Sequence, residues 1–301
     1  MDQSLNVFVM VAEKQNFSRA AEELHMTQPA VSQYIRSLEE TMDARLLERT
    51  NKYVRLTKAG EIVYHHAKEI VGLYGRMHHL INDLSNEASG KLSIGASYTF
   101  GEYVLPHILA RLLEVYPRIQ PDVTIGNTAE IAELIISQQL DVGIVEGRFK
   151  KNRQHTTQVF AEDRMVIMAS AGHSLAARST EIEWEELADQ TWIIREEGSG
   201  TREAVESVFK MFDMIPARTM QFSSTQPIKE AVEAGLGISL LSEWAVQKEI
   251  RHHELVALPV KGLPFIRQFS IVTSSPYQTK ALQVFLELLL QNRELTLFRD
   301  R

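Results

Sequence analysis

Residues 16–55 constrain the fold more than any other part of the chain, because two short helical segments, a turn and a basic hairpin follow one another there. Ser18 is predicted to cap the first helix, which runs over residues 19–24. Thr27 is predicted to cap the second, and Pro29 lies in its first turn, where a missing N–H costs little. The order of these elements predicts a winged helix-turn-helix.

The second predicted helix has one apolar face and one polar face. Val31, Ile35, Leu38 and Met42 recur with the spacing of a buried helical stripe. Short or forked polar side chains on the opposite side can reach base edges and phosphates from a helix in a major groove. We therefore predict a DNA-binding surface on this helix and its flanks. Its residues are Ser18, Thr27, Gln28, Pro29, Ala30, Ser32, Gln33 and Arg36.

The hairpin that follows is basic. Strands are predicted at residues 46–49 and 53–56 around a polar turn. From Arg45 to Lys58 the sequence contains five basic residues and one acidic residue. The whole chain has a formal net charge of −7, so this excess is local. Phosphate contacts by Arg49, Lys52 and Arg55 explain it. The alternative, a small helical bundle whose polar face is only solvated, does not.

These segments carry a family resemblance. The first sixty residues resemble the DNA-binding domain of bacterial LysR-type transcriptional regulators. The matching motifs are FSRAA at 17–21, TQPAVS at 27–32, LLER at 46–49 and LTKAG at 56–60. The resemblance covers essentially the full length. It implies a winged helix-turn-helix at 1–57, a linker helix and hinge at 58–90, and an effector-binding domain at 91–301.

From Thr57 to about residue 86 the sequence predicts one long helix. Apolar positions on it alternate four and three residues apart, as in a coiled-coil seam. The seam residues are Ile70, Leu73, Met77, Leu80 and Leu84. The alternative is a helix packed on its own domain, and Gly72 and Gly75 weaken the isolated helix by about 1 kcal/mol each. LysR-type proteins pair their DNA-binding domains through this helix, so the resemblance implies a homodimer and, through the effector domains, a homotetramer.

Beyond residue 90, strand and helix patterns alternate. Strands at 91–96, 123–125 and 141–145, with helices at 103–115 and 129–137, predict an α/β fold with a parallel, doubly wound sheet. A second set of elements follows, and the chain returns through a strand at 268–272 to a closing helix. The resemblance implies two lobes like those of type 2 periplasmic binding proteins. Lobe I would span about 91–161 and 268–301, and lobe II about 162–267.

Three loops that follow strands or open helices are predicted to meet in the cleft between the lobes: 96–101, 195–202 and 224–228. N–H groups at helix starts, hydroxyls and a guanidinium together favour an anion. For each loop alone, helix capping and turn chemistry is the alternative. The candidate effector contacts are Ser97, Thr99, Glu146, Glu196, Gly198, Ser199, Thr201, Arg202 and Gln226.

Composition excludes other classes. The chain has 301 residues and no cysteine, which excludes disulfides, thiolate chemistry and cysteine-based zinc sites. Neither an export signal nor a run of about eighteen apolar residues is present, which predicts a cytoplasmic protein with no membrane partner.

Histidine pairs such as His65 and His66 diverge on a helix and lack a third ligand of suitable spacing, so no metal is predicted. The motifs of hydrolytic catalysis are missing, so neither an enzyme nor a cofactor is expected.

The sequence therefore predicts a ligand-responsive regulator that binds double-stranded promoter DNA at an operator. The loop at 195–202, with AEKQNF at 12–17, looks like the CysL-like regulators of sulfur assimilation, which respond to small sulfur oxyanions. Regulators of carbon fixation carry similar loops. A small inorganic oxyanion is the first choice of effector, and a small organic carboxylate or phosphate the second. A solute-binding transport protein is the alternative, but it should carry an export signal and lack the wing.

Overall fold

A computed structural model describes residues 3–49, 53–82, 88–147, 155–274 and 278–292, without the side chains of Arg49, Arg76 and residues 78–82. The chain forms two compact units, one of residues 1–84 with 137–139 and one of residues 85–136 with 140–301. Among these described ranges, every helix is too short or too polar to cross a bilayer.

Helices and a hairpin make up the first unit. Its elements are α1 (Gln3–Lys14), α2 (Phe17–Glu23), α3 (Gln28–Thr41), β1 (Leu47–Arg49), β2 (Val54–Leu56) and α4 (Lys58–Asn82). Thr27 caps α3 as predicted. The prediction that Ser18 caps α2 is wrong. The cap is Asn16, whose side-chain oxygen accepts hydrogen bonds from the backbone N–H groups of Ser18 at 2.9 Å and Arg19 at 3.0 Å.

Helix α3 buries most of its predicted stripe. Val31, Ile35 and Leu38 lie in the core of the unit, together with Phe8 of α1. Met42 was predicted to belong to this stripe but is 44 % exposed. Helix α3 ends at Thr41, so Met42 is its C-cap and lies beyond the last buried residue of the stripe.

The hairpin is fixed to the helices that flank it. Its strands pair antiparallel, with Glu48 opposite Arg55. The Glu39 carboxylate on α3 accepts hydrogen bonds from the backbone N–H groups of Leu46 at 2.8 Å and Leu47 at 3.2 Å. On α4, Gly60 approaches the same segment so closely that an added Cβ would lie 2.0 Å from the Leu46 carbonyl oxygen.

Replacing Gly60 by alanine is therefore expected to lower the free energy of unfolding by about 1–3 kcal/mol, because two backbones must move apart. Urea denaturation of the full chain measures this. Gly75→Ala on the same helix is the control, since its new Cβ would meet no atom within 4 Å and helix propensity favours alanine. Equal losses in the two variants would contradict the close approach at Gly60.

The second unit alternates strands and helices. Its strands are β3 (Gly90–Ser97), β4 (Ile119–Gly126), β5 (Val142–Glu146), β6 (Thr156–Ser170), β7 (Thr191–Arg195), β8 (Arg218–Phe222), β9 (Ser239–Ser242), β10 (Leu255–Ala257) and β11 (Phe265–Thr273). Its helices are α5 (Tyr98–Tyr103), α6 (Leu105–Val115), α7 (Thr128–Ile136), α8 (Gly200–Met211), α9 (Thr225–Glu233), α10 (Glu243–Arg251) and α11 (Lys280–Gln291), with a 3-10 turn at Trp184–Leu187.

The α/β fold is confirmed, but the sheet is mixed rather than parallel. Strands β4, β3 and β5 are parallel, and so are β7 and β8. Strand β11 runs antiparallel to both β5 and β6. The sequence pattern missed β8, β10 and α10, and it treated residues 96–101 as a loop, although α5 begins there at Tyr98.

Two apolar cores lie along the long strands β6 and β11. One core, around Phe100, Phe269 and Phe285, packs β3 and β5 against α6 and α11. The other, around Trp192 and Val205, packs β7 and β9 against α8. Residues 269–272, in the C-terminal half of β11, pair with β5 in the first lobe. Residues 165–170, in the C-terminal half of β6, pair with β9 and β10 in the second lobe. Strands β6 and β11 thus connect two lobes, and the cleft lies where these strands pass from one lobe to the other.

Candidate functional site

A buried arginine of β11 joins cleft residues from both lobes. The Arg267 guanidinium donates through Nη2 to Thr99 Oγ1 at 2.9 Å and through Nη1 to Thr201 Oγ1 at 3.0 Å. Its Nε donates to the Asp163 carboxylate on β6 at 2.6 Å, and Glu146 Oε1 lies 3.5 Å from Nη1. The sequence pattern identified Thr99 and Thr201 but not Arg267, and the structure shows that both hydroxyls bind this arginine.

The two carboxylates beside Arg267, those of Glu146 and Asp163, are buried. Asp163 accepts a hydrogen bond from Ser242 Oγ at 2.5 Å, and Glu146 accepts one from Ser97 Oγ. Burial raises the pKa of the Asp163 carboxyl, while Arg267 and Ser242 act in the opposite direction. Hydrogen bonds and one guanidinium therefore hold both carboxylates in place.

A second buried arginine ends β7. Arg195 is 1 % exposed, and its Nε and Nη2 each donate to a carboxylate oxygen of Glu196 at 2.7 Å. Its Nη1 lies 3.4 Å from Thr225 Oγ1 at the start of α9. The guanidinium carbon is 4.5 Å from the ring centroid of Tyr98, at the start of α5 in the other lobe. This arginine also touches both lobes.

The glycine-rich loop 196–200 lies against the first lobe. Asn127 Nδ2 donates to Glu196 Oε1 at 3.2 Å, and the Ala129 N–H donates to the Gly198 carbonyl at 3.1 Å. Gly198 has a φ of +85°, which side chains rarely adopt. At Gly200, an added Cβ would lie 2.2 Å from the Glu146 carbonyl oxygen. These glycines allow the two lobes to approach.

Three of the residues predicted from sequence lie elsewhere or act locally. The Arg202 guanidinium donates to Glu206 on its own helix at 2.6 Å and to the Arg195 carbonyl at 3.0 Å. Gln226 donates to Glu230 at 2.8 Å on the exposed side of α9. Ser199 Oγ accepts from the Thr201 N–H at 3.2 Å and so caps α8. The structure brings Ser97, Thr99, Glu146, Thr201 and Glu196 around the two guanidinium groups. The side chains of Arg202 and Gln226 instead bind acidic residues one turn along their own helices.

Sequence reasoning missed Asp163 and Arg267 and left Arg195 out of its candidates. A signal was present in β11, whose only charged residue is Arg267, whereas Asp163 stands in a run of three charged residues at 162–164 of β6. Charged residues at such positions are rarely buried unless they are paired. Arg267 was therefore a candidate for a buried, paired charge, but the sequence did not single out Asp163 as its partner.

In the first unit, the polar face of α3 forms a groove of about 650 Å³. It is lined by Gln28, Pro29, Ser32, Gln33, Arg36, Ser37 and Glu40. Gln28 Nε2 donates to Ser32 Oγ at 2.9 Å along the helix. Arg55 of β2 is exposed, with its guanidinium carbon 4.8 Å from the ring centroid of Tyr53. Lys52 and the side chain of Arg49 lie outside the described residues.

Apolar side chains of the predicted seam are exposed on α4. Ile70, Leu73 and Met77 are 46, 47 and 46 % exposed. Such a row of large apolar groups, spaced by turns of one helix, is typical of a surface that meets a partner. The side chain of Leu80 and the whole of Leu84 lie outside the part of the chain that the structure describes.

The histidine pair on α4 does have a third neighbour. Glu69 oxygens lie 3.1 Å from His66 Nδ1 and 3.6 Å from His65 Nε2, so the prediction that the pair lacks a third ligand of suitable spacing is wrong. The three donor atoms lie within 4.8 Å of one another. Because both histidines are exposed, a surface hydrogen bond between His66 and Glu69 is sufficient to account for this geometry.

Comparison with known proteins finds similarity along the whole chain. Residues 3–61 match the model of the bacterial regulatory helix-turn-helix protein, lysR family. Residues 85–294 match the model of the LysR substrate binding domain. The HTH-type transcriptional regulator CysL of Bacillus subtilis (strain 168) is 37 % identical over 296 residues, which is 98 % of each chain.

Solved structures agree with this similarity. The regulatory domain of Synechocystis PCC6803 CcmR in complex with 2-PG is 28 % identical, with a TM-score of 0.63 over 68 % of this chain and 98 % of that one. A full-length OxyR from Pseudomonas aeruginosa is 26 % identical, with a TM-score of 0.70 over 97 % of this chain and 93 % of that one.

Proposed function

Because the chain belongs to the LysR family of transcriptional regulators, we propose that it binds an operator in double-stranded promoter DNA and that a small anion in the cleft changes this binding. As a LysR-type regulator with a ligand-binding domain, it is a regulator of transcription and not an enzyme. The alternative of a solute-binding transport protein is not favoured, since that class lacks the helix-turn-helix. The observation that carries the effector part is the pair of buried arginines, Arg195 and Arg267, each in contact with both lobes.

Helix α3 is proposed to lie in the major groove. The groove side chains Gln28, Ser32, Gln33 and Arg36 can then reach base edges. Around them, the exposed Ser18 and Thr27 and the first-turn residues Pro29 and Ala30 are proposed to meet the sugar–phosphate backbone. Arg49, Lys52 and Arg55 of the wing are proposed to contact phosphates and to set the salt dependence.

The effector is proposed to be a small anion. Guanidinium groups recognise planar or tetrahedral oxyanions through paired hydrogen bonds, and the hydroxyls of Ser97, Thr99 and Thr201 lie beside them. We retain Gly198, Ser199, Glu146 and Glu196 as neighbours of the ligand, and we propose the two buried arginines in place of Arg202 and Gln226. The resemblance of loop 195–202 and residues 12–17 to CysL-like regulators of sulfur assimilation supports a sulfur oxyanion first, and the CcmR regulatory domain with 2-PG supports 2-PG as a second probe.

The functional unit is proposed to be a cytoplasmic homodimer that pairs through α4, and a homotetramer through the effector domains. A dimer would present two α3 helices and two wings, which fits an operator with two half-sites. A gel-shift assay with the DNA upstream of the protein's own gene tests the DNA part of the proposal. Retardation equal to that of an unrelated duplex would count against it.

Replacing Arg55 by alanine is expected to weaken binding to all duplexes alike and to lower the slope of log affinity against log salt by about 1, because one phosphate contact is lost. Fluorescence anisotropy at several salt concentrations, on the upstream DNA and on an unrelated duplex, measures both quantities. Lys248→Ala, which removes a basic residue of α10 in the effector unit, is the control. An unchanged slope with a lost sequence preference would contradict the phosphate assignment.

A further inference from the structure

We infer that Glu196 is an internal competitor of the effector, so that the effector's anionic group binds Arg195 by exchange with the Glu196 carboxylate. This inference rests on the proposed function, because it takes an anion to bind in this cleft. It adds the step by which a site with paired charges accepts another negative charge.

Arg195 presents one edge of its guanidinium to Glu196. The edge of the guanidinium formed by Nε and Nη2 faces the two oxygens of Glu196, both at 2.7 Å. This paired arrangement is the strongest that a guanidinium makes with an oxyanion. The Tyr98 ring covers one face of the same group, while Thr225 and the Ser223 carbonyl lie near its remaining donors at 3.4 and 3.3 Å. An anion that takes two hydrogen bonds from Arg195 must use the edge that Glu196 holds.

The cleft holds more carboxylates than guanidinium groups. Arg195 and Arg267 supply two positive charges, and their carboxylate partners Glu146, Asp163 and Glu196 supply three negative ones when ionised. A further anion in this setting is repelled unless a carboxylate withdraws. One of the three must therefore yield for an anion to bind.

Exposure and chain position decide which carboxylate withdraws. The Glu196 side chain is 18 % exposed, whereas Glu146 is 3 % and Asp163 is 0 % exposed. Glu146 and Asp163 belong to strands, while Glu196 begins a loop that contains the permissive Gly198. A small rotation brings Glu196 into water, where its charge is solvated. The other two carboxylates have no such route.

The exchange also affects the contact between the lobes. Glu196 Oε1 accepts a hydrogen bond from Asn127 of the first lobe. When the carboxylate leaves, this contact is lost and the effector takes over the bridge between the lobes. Effector binding then changes how the lobes are joined, which is the differential contact that a switch requires. The ligand class is an oxyanion with two oxygens that can face one guanidinium edge. A halide ion has a single atom and cannot make this paired contact.

Two matched variants test this inference. Glu196→Gln keeps the size of the side chain and removes its charge, and Glu197→Gln removes the same charge from the next, exposed residue. The probe is sulfate, measured by calorimetry on the full chain, with chloride holding ionic strength constant. We expect Glu196→Gln to bind sulfate about tenfold more tightly than the parent, or about 1.4 kcal/mol, and Glu197→Gln to match the parent.

Several outcomes would overturn the exchange. Equal sulfate affinity in Glu196→Gln and the parent would do so, and so would the same gain in both variants, which indicates only a long-range charge effect. If neither the parent nor Glu196→Gln bound sulfate, the freed guanidinium edge would not be an anion site. Operator binding of the parent separates the two claims. If sulfate, thiosulfate and 2-PG left it unchanged while Glu196→Gln gained sulfate affinity, the proposed function would fail and the exchange would stand.

Discussion

Replacing Leu73 and Met77 together by aspartate is expected to convert an operator-binding dimer into monomers and to lower operator affinity at least about a hundredfold. Both side chains are nearly half exposed on α4, at 47 and 46 %, and lie four residues apart on the proposed seam. Each aspartate would bury an unpaired charge in a paired helix, and a dimer would contain four. Sedimentation and anisotropy on a two-half-site duplex measure the two effects.

Ile62→Asp is the matched control for this variant. Ile62 is also an exposed apolar residue of α4, at 64 %, but it lies outside the four-and-three spacing of the seam. It should sediment like the parent and bind the same duplex with similar affinity. A Leu73→Asp, Met77→Asp protein that behaved like this control would show that the seam is misassigned.

Replacing Arg267 by methionine is expected to lower the free energy of unfolding by roughly 3–5 kcal/mol, because two buried carboxylates lose their cation. The loss should depend on pH. Burial raises the pKa of Asp163, and Arg267 is the main influence that lowers it, so the variant's folded-state pKa is higher still. A carboxyl whose folded-state pKa is raised stabilises the fold at low pH and loses that contribution as pH rises. Urea denaturation should therefore show a larger loss at about pH 8 than at about pH 5.

Two further variants locate the cause of that loss. Asp163→Asn added to Arg267→Met should restore part of the stability, because the amide needs no cation. Arg164→Met removes the arginine that follows Asp163 in β6. This arginine is 47 % exposed and pairs with Glu243, so the substitution should cost less than about 1 kcal/mol. Strictly additive effects of the Arg267 and Asp163 substitutions, or a loss independent of pH, would contradict the buried pair.

Local signals allowed the first unit to be predicted well. The cap at Thr27 and the apolar stripe through Leu38 depend on neighbours within a few residues, and the sequence shows those neighbours directly. The error at Ser18 has the same local origin. Two polar residues stand near the start of α2, and only the backbone angles decide that Asn16 is in the capping position.

The candidate site was predicted in part for a different reason. Thr99 and Thr201 lie in loops whose composition is informative, so the sequence pointed to them. Arg267 and Asp163 are 104 residues apart in the sequence, and their pairing depends on β11 returning antiparallel to β6. Arg202 was chosen as a basic residue of the glycine-rich loop, but Glu206 one turn later binds it along the helix. Sequence spacing identifies loops more readily than it identifies contacts between distant strands.

The most direct test of the account is the operator affinity of the full-length protein with and without small oxyanions. Anisotropy on the DNA upstream of its own gene would be measured with sulfate, thiosulfate and 2-PG, and with chloride at matched ionic strength. We expect specific binding that at least one oxyanion changes by about fivefold or more, the size of an ordinary coupling between two sites. Binding no stronger than to an unrelated duplex, or an operator affinity that all three oxyanions leave unchanged, would contradict the account.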